Sequence, residues 1–156
     1  MIDPITLLVR KIALHKHQST VPTGIIPLDK IKKATVFVDN LDADADHVEK
    51  TARQYFEKRN IDVRIINAKK WDIGIFGCLK RHKGEKDFGE DLFISTAYAY
   101  NFTAEYAARC STARFKVGRE QLRGNLFDIV IKDPEGQIIR QPMAFKAIID
   151  LLEKIQ

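Results

Sequence analysis

A chain of 156 residues, 45% apolar and 30% charged, carries enough material for one domain with its own core. No apolar run reaches the ~20 residues that cross a bilayer. The N-terminus lacks the apolar core and cleavage site of a signal peptide, and Cys78 and Cys110 make neither a disulfide framework nor a metal spacing. Both cysteines are expected to pack as small hydrophobes in a reducing, cytoplasmic compartment. The net charge of +5 is unevenly placed: residues 1–33 hold six basic and two acidic side chains, leaving 20 basic against 19 acidic beyond them. That near-neutral remainder argues against a broad nucleic-acid face. The expected organisation is a basic N-terminal helix and linker over residues 1–33, followed by one α/β domain over residues 34–156.

In chain order, "ITLLVRKIAL" places Ile5, Leu8, Val9 and Ile12 at helical spacing, with basic residues interleaved and two histidines after it. Such a helix either docks on the body or lies on an acidic membrane surface through residues 5–17. "QSTVPTGIIPL", residues 18–28, reads as a linker because of Pro22, Gly24 and Pro27. Ala34–Asp39, "ATVFVD", is an unbroken apolar run of the kind covered on both faces in a parallel sheet. A helix is expected from about Ala45 to Arg59, with Val48, Ala52, Tyr55 and Phe56 on its apolar stripe. Ile61–Ala68 follows as a second strand. Residues 69–90 read as a long loop, with a short strand around Ile73–Phe76. Asp91–Ser95 is a third strand, Phe102–Cys110 a helix capped by Asn101, Ala113–Gly118 a fourth strand and Leu126–Lys132 a fifth. Asp133–Gly136, "DPEG", fits a turn with proline second and glycine fourth. A last helix from about Pro142 to Lys154 buries Phe145, Ile148, Ile149, Leu152 and Ile155. The alternation predicts a three-layer, Rossmann-like α/β fold: about five mostly parallel strands with helices on both faces. Ligands of such sheets bind beyond the strand carboxyl ends. That rule brings Asp39, Asn40, Ser95, Thr96, Lys116 and Arg119 to one rim as candidate ligand-binding residues.

The aspartates of "VFVDNLDADADHVEK" invite a metal reading. Asp42, Asp44 and Asp46 copy the opening of a calcium loop, but His47 stands where that loop needs glycine and Arg53 where it needs glutamate. Asp46 followed by Glu49 instead spells a capping box, with the other carboxylates favoured near the positive end of the helix. No phosphate-cradling loop and no nucleophile elbow occurs, so no motif implies a cofactor or a catalytic residue. His15 and His17 read as surface groups, His47 as a first-turn residue and His82 as solvated. The loop combines Lys69, Lys70, Lys80, Arg81, Lys83 and Lys86 with Trp71 and Phe76, a mix that can hold single-stranded nucleic acid or an anion. A solvated loop with Trp71 tucked inward explains it more simply. Gly118 is expected to ease a tight turn out of the fourth strand. Arg119 can hold a phosphate or carboxylate by two hydrogen bonds, or pair internally with Glu120 or Asp39.

The stretch "EDLFISTAYAYNFTAEYAARCSTARFKVGRE" resembles the acceptor-side half of heptosyltransferase-type glycosyltransferases over about residues 90–119. That resemblance supports the α/β fold and speaks against transferase activity; an enzyme half that borrows a partner domain, with Asp39 as base and Arg119 gripping an anionic group, is an alternative. The glycine-containing loop those enzymes carry after the first strand is replaced here by "VDNLDADAD". Their second, nucleotide-sugar-binding domain has no counterpart in these 156 residues, so activity would need a partner domain. Over most of its length the chain resembles a family of short, uncharacterised bacterial α/β proteins. The shared features are a basic leader, a strand ending in Val-Asp and a segment like "RFKVGR", Arg114–Arg119. That resemblance implies no known activity. The expected function is therefore a non-catalytic binding module with a crevice at the strand ends, taking an anionic small molecule. The alternatives are the glycosyltransferase half and a peripheral membrane protein using the basic helix.

Overall fold

The computed structural model describes residues 2–39, 43–67, 73–79 and 88–155. Its elements are α1 (Pro4–His17), β1 (Lys33–Val38), α2 (Ala45–Lys58), β2 (Asp62–Asn67), β3 (Leu92–Ser95), α3 (Phe102–Cys110), β4 (Phe115–Gly118), β5 (Ile129–Val130) and α4 (Gln141–Lys154). The five strands form one sheet in the order β2-β1-β3-β4-β5, and every pairing is parallel.

Side-chain alternation explains the layers. Ile65, Val36, Ile94, Val117 and Ile129 stand in register across all five strands. Together with Phe56, Phe145, Ile148 and Leu152 they form the larger core, covered by α2 and α4. The opposite face carries Phe37, Ile66 and Phe93 against Ala104, Ala107 and Ala108 of α3. The small residues let that short helix approach closely. Below them, Arg64, Thr35, Phe93 and Lys116 form a second in-register row, largely polar.

Several boundaries depart from the sequence expectation. β5 keeps only Ile129–Val130, because Gln121 takes over the backbone of Phe127. Its Oε1 accepts from the Phe127 N–H at 3.1 Å and its Nε2 donates to the Phe127 carbonyl at 3.1 Å. The turn after β5 closes one residue late, from Gln137 N to Pro134 O at 3.0 Å, with Gly136 at φ +74°. Glycine there supplies the left-handed third position of a tight turn. Gly118 does not serve a turn. A Cβ at that position would stand 2.5 Å from the Phe127 ring, so it is packing that requires glycine. Ile73–Phe76 is no strand; Ile73 makes one antiparallel bridge to Leu79 around a turn.

The α1 helix docks on α3 with only Val9 of the expected stripe turned inward. Val9, Arg10 and Ala13 are half-buried, whereas Ile5, Leu8 and Ile12 face solvent. The Arg10 guanidinium lies 4.4 Å from the Phe102 ring centroid, Arg10 Nε donates to the Phe76 carbonyl at 2.9 Å, and His17 meets Tyr106 edge to face. A cation over an aromatic face accounts for the choice of stripe. The following segment is tied along the amino edge of the sheet: Ser19 N donates to Arg109 O, Gly24 N to Arg114 O, and Thr23 Oγ1 to Asp128 Oδ1. No helix among the described residues is long and apolar enough to cross a membrane.

Candidate functional site

All five strands run the same way, so the residues after β1, β3 and β4 emerge at one carboxyl edge. The strand order turns back between β1 and β3, the position where open α/β sheets leave a crevice. Asp39 leaves β1 there as a buried residue. Its N–H donates to Gln141 Oε1 at 2.9 Å and its carbonyl accepts from Gln141 Nε2 at 3.1 Å. The Gln141 side chain thus mimics a neighbouring strand and ties the first turn of α4 to β1. Thr96 follows β3 and closes the same knot. Its N–H and hydroxyl both reach the Phe37 carbonyl, at 3.1 and 2.9 Å, and the hydroxyl also meets Gln141 Oε1. Ser95, the last residue of β3, is buried beside it. Asn40 lies outside the described residues.

Arg119, just past β4, is 3% exposed. Nη1 donates to the Thr96 carbonyl at 3.1 Å. Nη2 lies 2.8 and 2.7 Å from the two Asp133 oxygens and 3.1 Å from the Ile139 carbonyl. Nε is buried without a hydrogen-bond partner among the described residues. Above the guanidinium, 5.6 Å away, is the ring of Tyr98. Tyr98 is 44% exposed and Tyr100, two residues on, 64% exposed. Burial and a hydrogen bond to Glu105 raise the Tyr100 hydroxyl above its ordinary pKa.

Lys116 is not at this rim. It is the second residue of β4, on the α3 face, and its Nζ donates to the Ala108 carbonyl at 2.7 Å. That carbonyl belongs to the last turns of α3, at the amino edge, where helix carbonyls attract a cation. Burial lowers the Lys116 pKa to about 8, against the raising effect of Glu90, Asp128 and Cys110. Nearby, Ser111 Oγ donates to Glu90 Oε1 at 2.6 Å and Arg64 lies 3.5 Å from the same oxygen. Thr35 Oγ1 is buried in this row without a partner among the described residues. Asp91 clamps the entry to the sheet, accepting from the N–H groups of Lys32 and Lys33 at 2.8 and 3.2 Å and from Arg114. Burial works to raise its pKa, but those hydrogen bonds outweigh it and hold the carboxyl below its usual range.

The capping box does not form. α2 opens at Ala45 with Asp44 as N-cap, and Asp46 is already helical. The Asp46 and Glu49 carboxylates instead accept from Asn67 Nδ2, at 3.4 and 3.0 Å, which pins α2 to the end of β2. Asp44 accepts two bonds from Arg140, at 2.9 and 2.7 Å. Asp42 lies outside the described residues, as do Trp71 and all six basic residues of the 69–86 loop. Among the described residues, no group of three His, Cys, Asp or Glu side chains is placed to hold an ion.

Sequence reasoning missed Gln141, Asp133 and the two tyrosines. Asp133 and Tyr98 follow strands β5 and β3, so the strand-end rule would have found both had it been carried past Thr96 and the fifth strand. Gln141 gave no signal, since nothing in "RQPMAF" marks a glutamine that reaches back to residue 39. A pocket of about 520 Å³ lies away from this rim, lined by Leu28, Ile31, Arg59, Ile61, Glu153 and Ile155. It sits where the carboxyl ends of α2 and α4 meet the strand amino ends.

No curated protein and no solved structure matches the chain. Residues 25–141, which hold the whole sheet, α2, α3 and Gln141, match the model of a family of unknown function (DUF6913), and the chain belongs to that family.

Proposed function

We propose that this protein is a non-catalytic binding module that takes a small anionic molecule at the carboxyl edge, beside the turning point of the strand order. The observation that carries the reading is the exposed Tyr98 ring 5.6 Å from the Arg119 guanidinium at this edge. Guanidinium groups suit phosphate and carboxylate, and an aromatic lid suits a flat organic group. Asp39, Thr96 and Gln141 hold the rim in shape through backbone bonds. That role fits a preformed recognition surface better than a proton-transfer site.

A thermal-shift screen with inorganic phosphate, nucleoside monophosphates and sugar phosphates tests it, because a ligand of the folded state raises Tm by mass action. At least one probe should raise Tm in the native protein, and Tyr98→Ala should abolish that shift. No shift with any probe, or a shift unchanged in Tyr98→Ala, would refute the reading. Turnover of a nucleotide-sugar that vanished in Asp39→Ala would replace it with the glycosyltransferase-half alternative.

A further inference from the structure

Among the described residues, no contact uses the outer face of α1. Docking uses Val9, Arg10 and Ala13, and no residue of the helix is fully buried. Opposite them, Ile5, Leu8 and Ile12 are 69%, 59% and 55% exposed. Their spacing of three and four residues makes one continuous ridge along the helix. Lys16 continues that ridge one turn beyond Ile12, and Lys11 and His15 run beside it, all three exposed. Leu7 is exposed as well. From Pro4 to Leu28 there is no acidic residue. Asp3, the one acidic residue before Pro4, is spent as the N-cap of the helix on Thr6.

From this we infer that the outer face of α1 binds an anionic lipid surface, with the Ile5–Leu8–Ile12 ridge entering the headgroup boundary and Lys11 and Lys16 meeting lipid phosphates. A helix lying in that plane needs an apolar face for depth and cations at headgroup level, and an anionic leaflet attracts those cations. Both requirements are met on one exposed surface, which an ordinary soluble helix would have filled with uncharged polar groups or mixed charge. The docked side matters equally. The contacts of Arg10 with Phe102 and Phe76 hold the helix in place, so the ridge is presented already folded and no ordering cost falls on binding. This surface is separate from the rim and lies outside the span 25–141 that matches the family.

Flotation of the full chain tests the inference. Vesicles of phosphatidylcholine containing phosphatidylglycerol should carry the protein upward, and vesicles of phosphatidylcholine alone should not. Replacing Ile5, Leu8 and Ile12 together by serine should reduce the bound fraction by about tenfold or more, with Tm unchanged because all three are exposed. The pair Lys11→Glu and Lys16→Glu should do the same without touching the ridge, and decides the matter if the serine variant folds poorly. Failure to float with anionic vesicles, or equal flotation of the native chain and the charge-reversed pair, would overturn it. So would a native chain that elutes as a dimer and becomes monomeric in the serine variant, since the ridge would then be a self-association face.

Discussion

Two buried cations three residues apart on and just after β4 go to opposite edges of the sheet and meet different fates. Arg119 turns to the carboxyl edge, where Asp133 and two carbonyls receive it. Lys116 turns to the amino edge, where its Nζ has one backbone carbonyl, with Glu90 and Asp128 acting at longer range. A charge taken out of water must be matched by nearby countercharge or it weakens its own proton binding. Arg119 has that match at contact distance. Lys116 does not, and its pKa falls to about 8. At the carboxyl edge the Arg119 charge is therefore matched in place, with the exposed Tyr98 ring over it. The amino edge holds a partly compensated row that the 18–27 segment straps over.

Three measurements break or sharpen this contrast. The largest effect is expected from Arg119→Met, which strands the Asp133 carboxylate and releases the Thr96 and Ile139 carbonyls. Breaking one side of such a pair costs about 3–5 kcal/mol in chemical denaturation. A loss below about 1 kcal/mol would mean that the carboxyl edge does not depend on this tie.

The second concerns Lys116 and pH. The folded chain binds the Lys116 proton more weakly than the unfolded chain, with a pKa of about 8 against 10.5. Below pH 8 both states are protonated and the burial penalty is full. Between the two values the unfolded state holds more protons, so stability rises with pH; above 10.5 the penalty is gone. The gain across that window is at most about 3 kcal/mol. Urea denaturation from pH 7.5 to 10.5, native chain against Lys116→Met, isolates it from other titrating groups. The stability difference between the two should shift steadily in favour of the native chain as pH rises. A constant difference would show that Lys116 is charged in comfort.

The smallest effect has the opposite sign. Thr35 buries a hydroxyl in the same row as Lys116 and Arg64 without a partner among the described residues. Thr35→Val keeps the shape and removes the unmet polar atom, and should stabilise by about 1 kcal/mol. Destabilisation would mean that the hydroxyl is satisfied by water in a more open amino edge.

Much of the fold was legible in the chain. The unbroken apolar runs around Val36 and Ile94 mark strands buried on both sides, and Asn101 with the apolar spacing after it marks α3 to the residue. Local chemistry settles such features. Those that misread were decided by side chains arriving from far along the sequence. Asp46 and Glu49 have the spacing of a capping box, yet Asn67 at the end of β2 claims both carboxylates. Gly118 suits a turn on inspection, yet the Phe127 ring is what excludes a larger residue. The candidate rim was half legible. Parallel order delivers Asp39, Ser95, Thr96 and Arg119 to one edge, but nothing local says that Gln141 would staple two of those strands or that Lys116 would turn the other way.

The sequence by itself determined the four main strands and the four helices, and hence a parallel sheet between helical layers, because those outcomes follow from periodicity and from the need to bury apolar faces. Only the tertiary structure decided which polar groups spend themselves on one another and which stay available. Lys116 and Arg119 look equally free on paper, and Ile12 reads as one more residue of an apolar stripe. Packing buries the first two against carbonyls and a carboxylate and leaves the third in solvent, because docking of α1 through Arg10 turns that side of the helix outward.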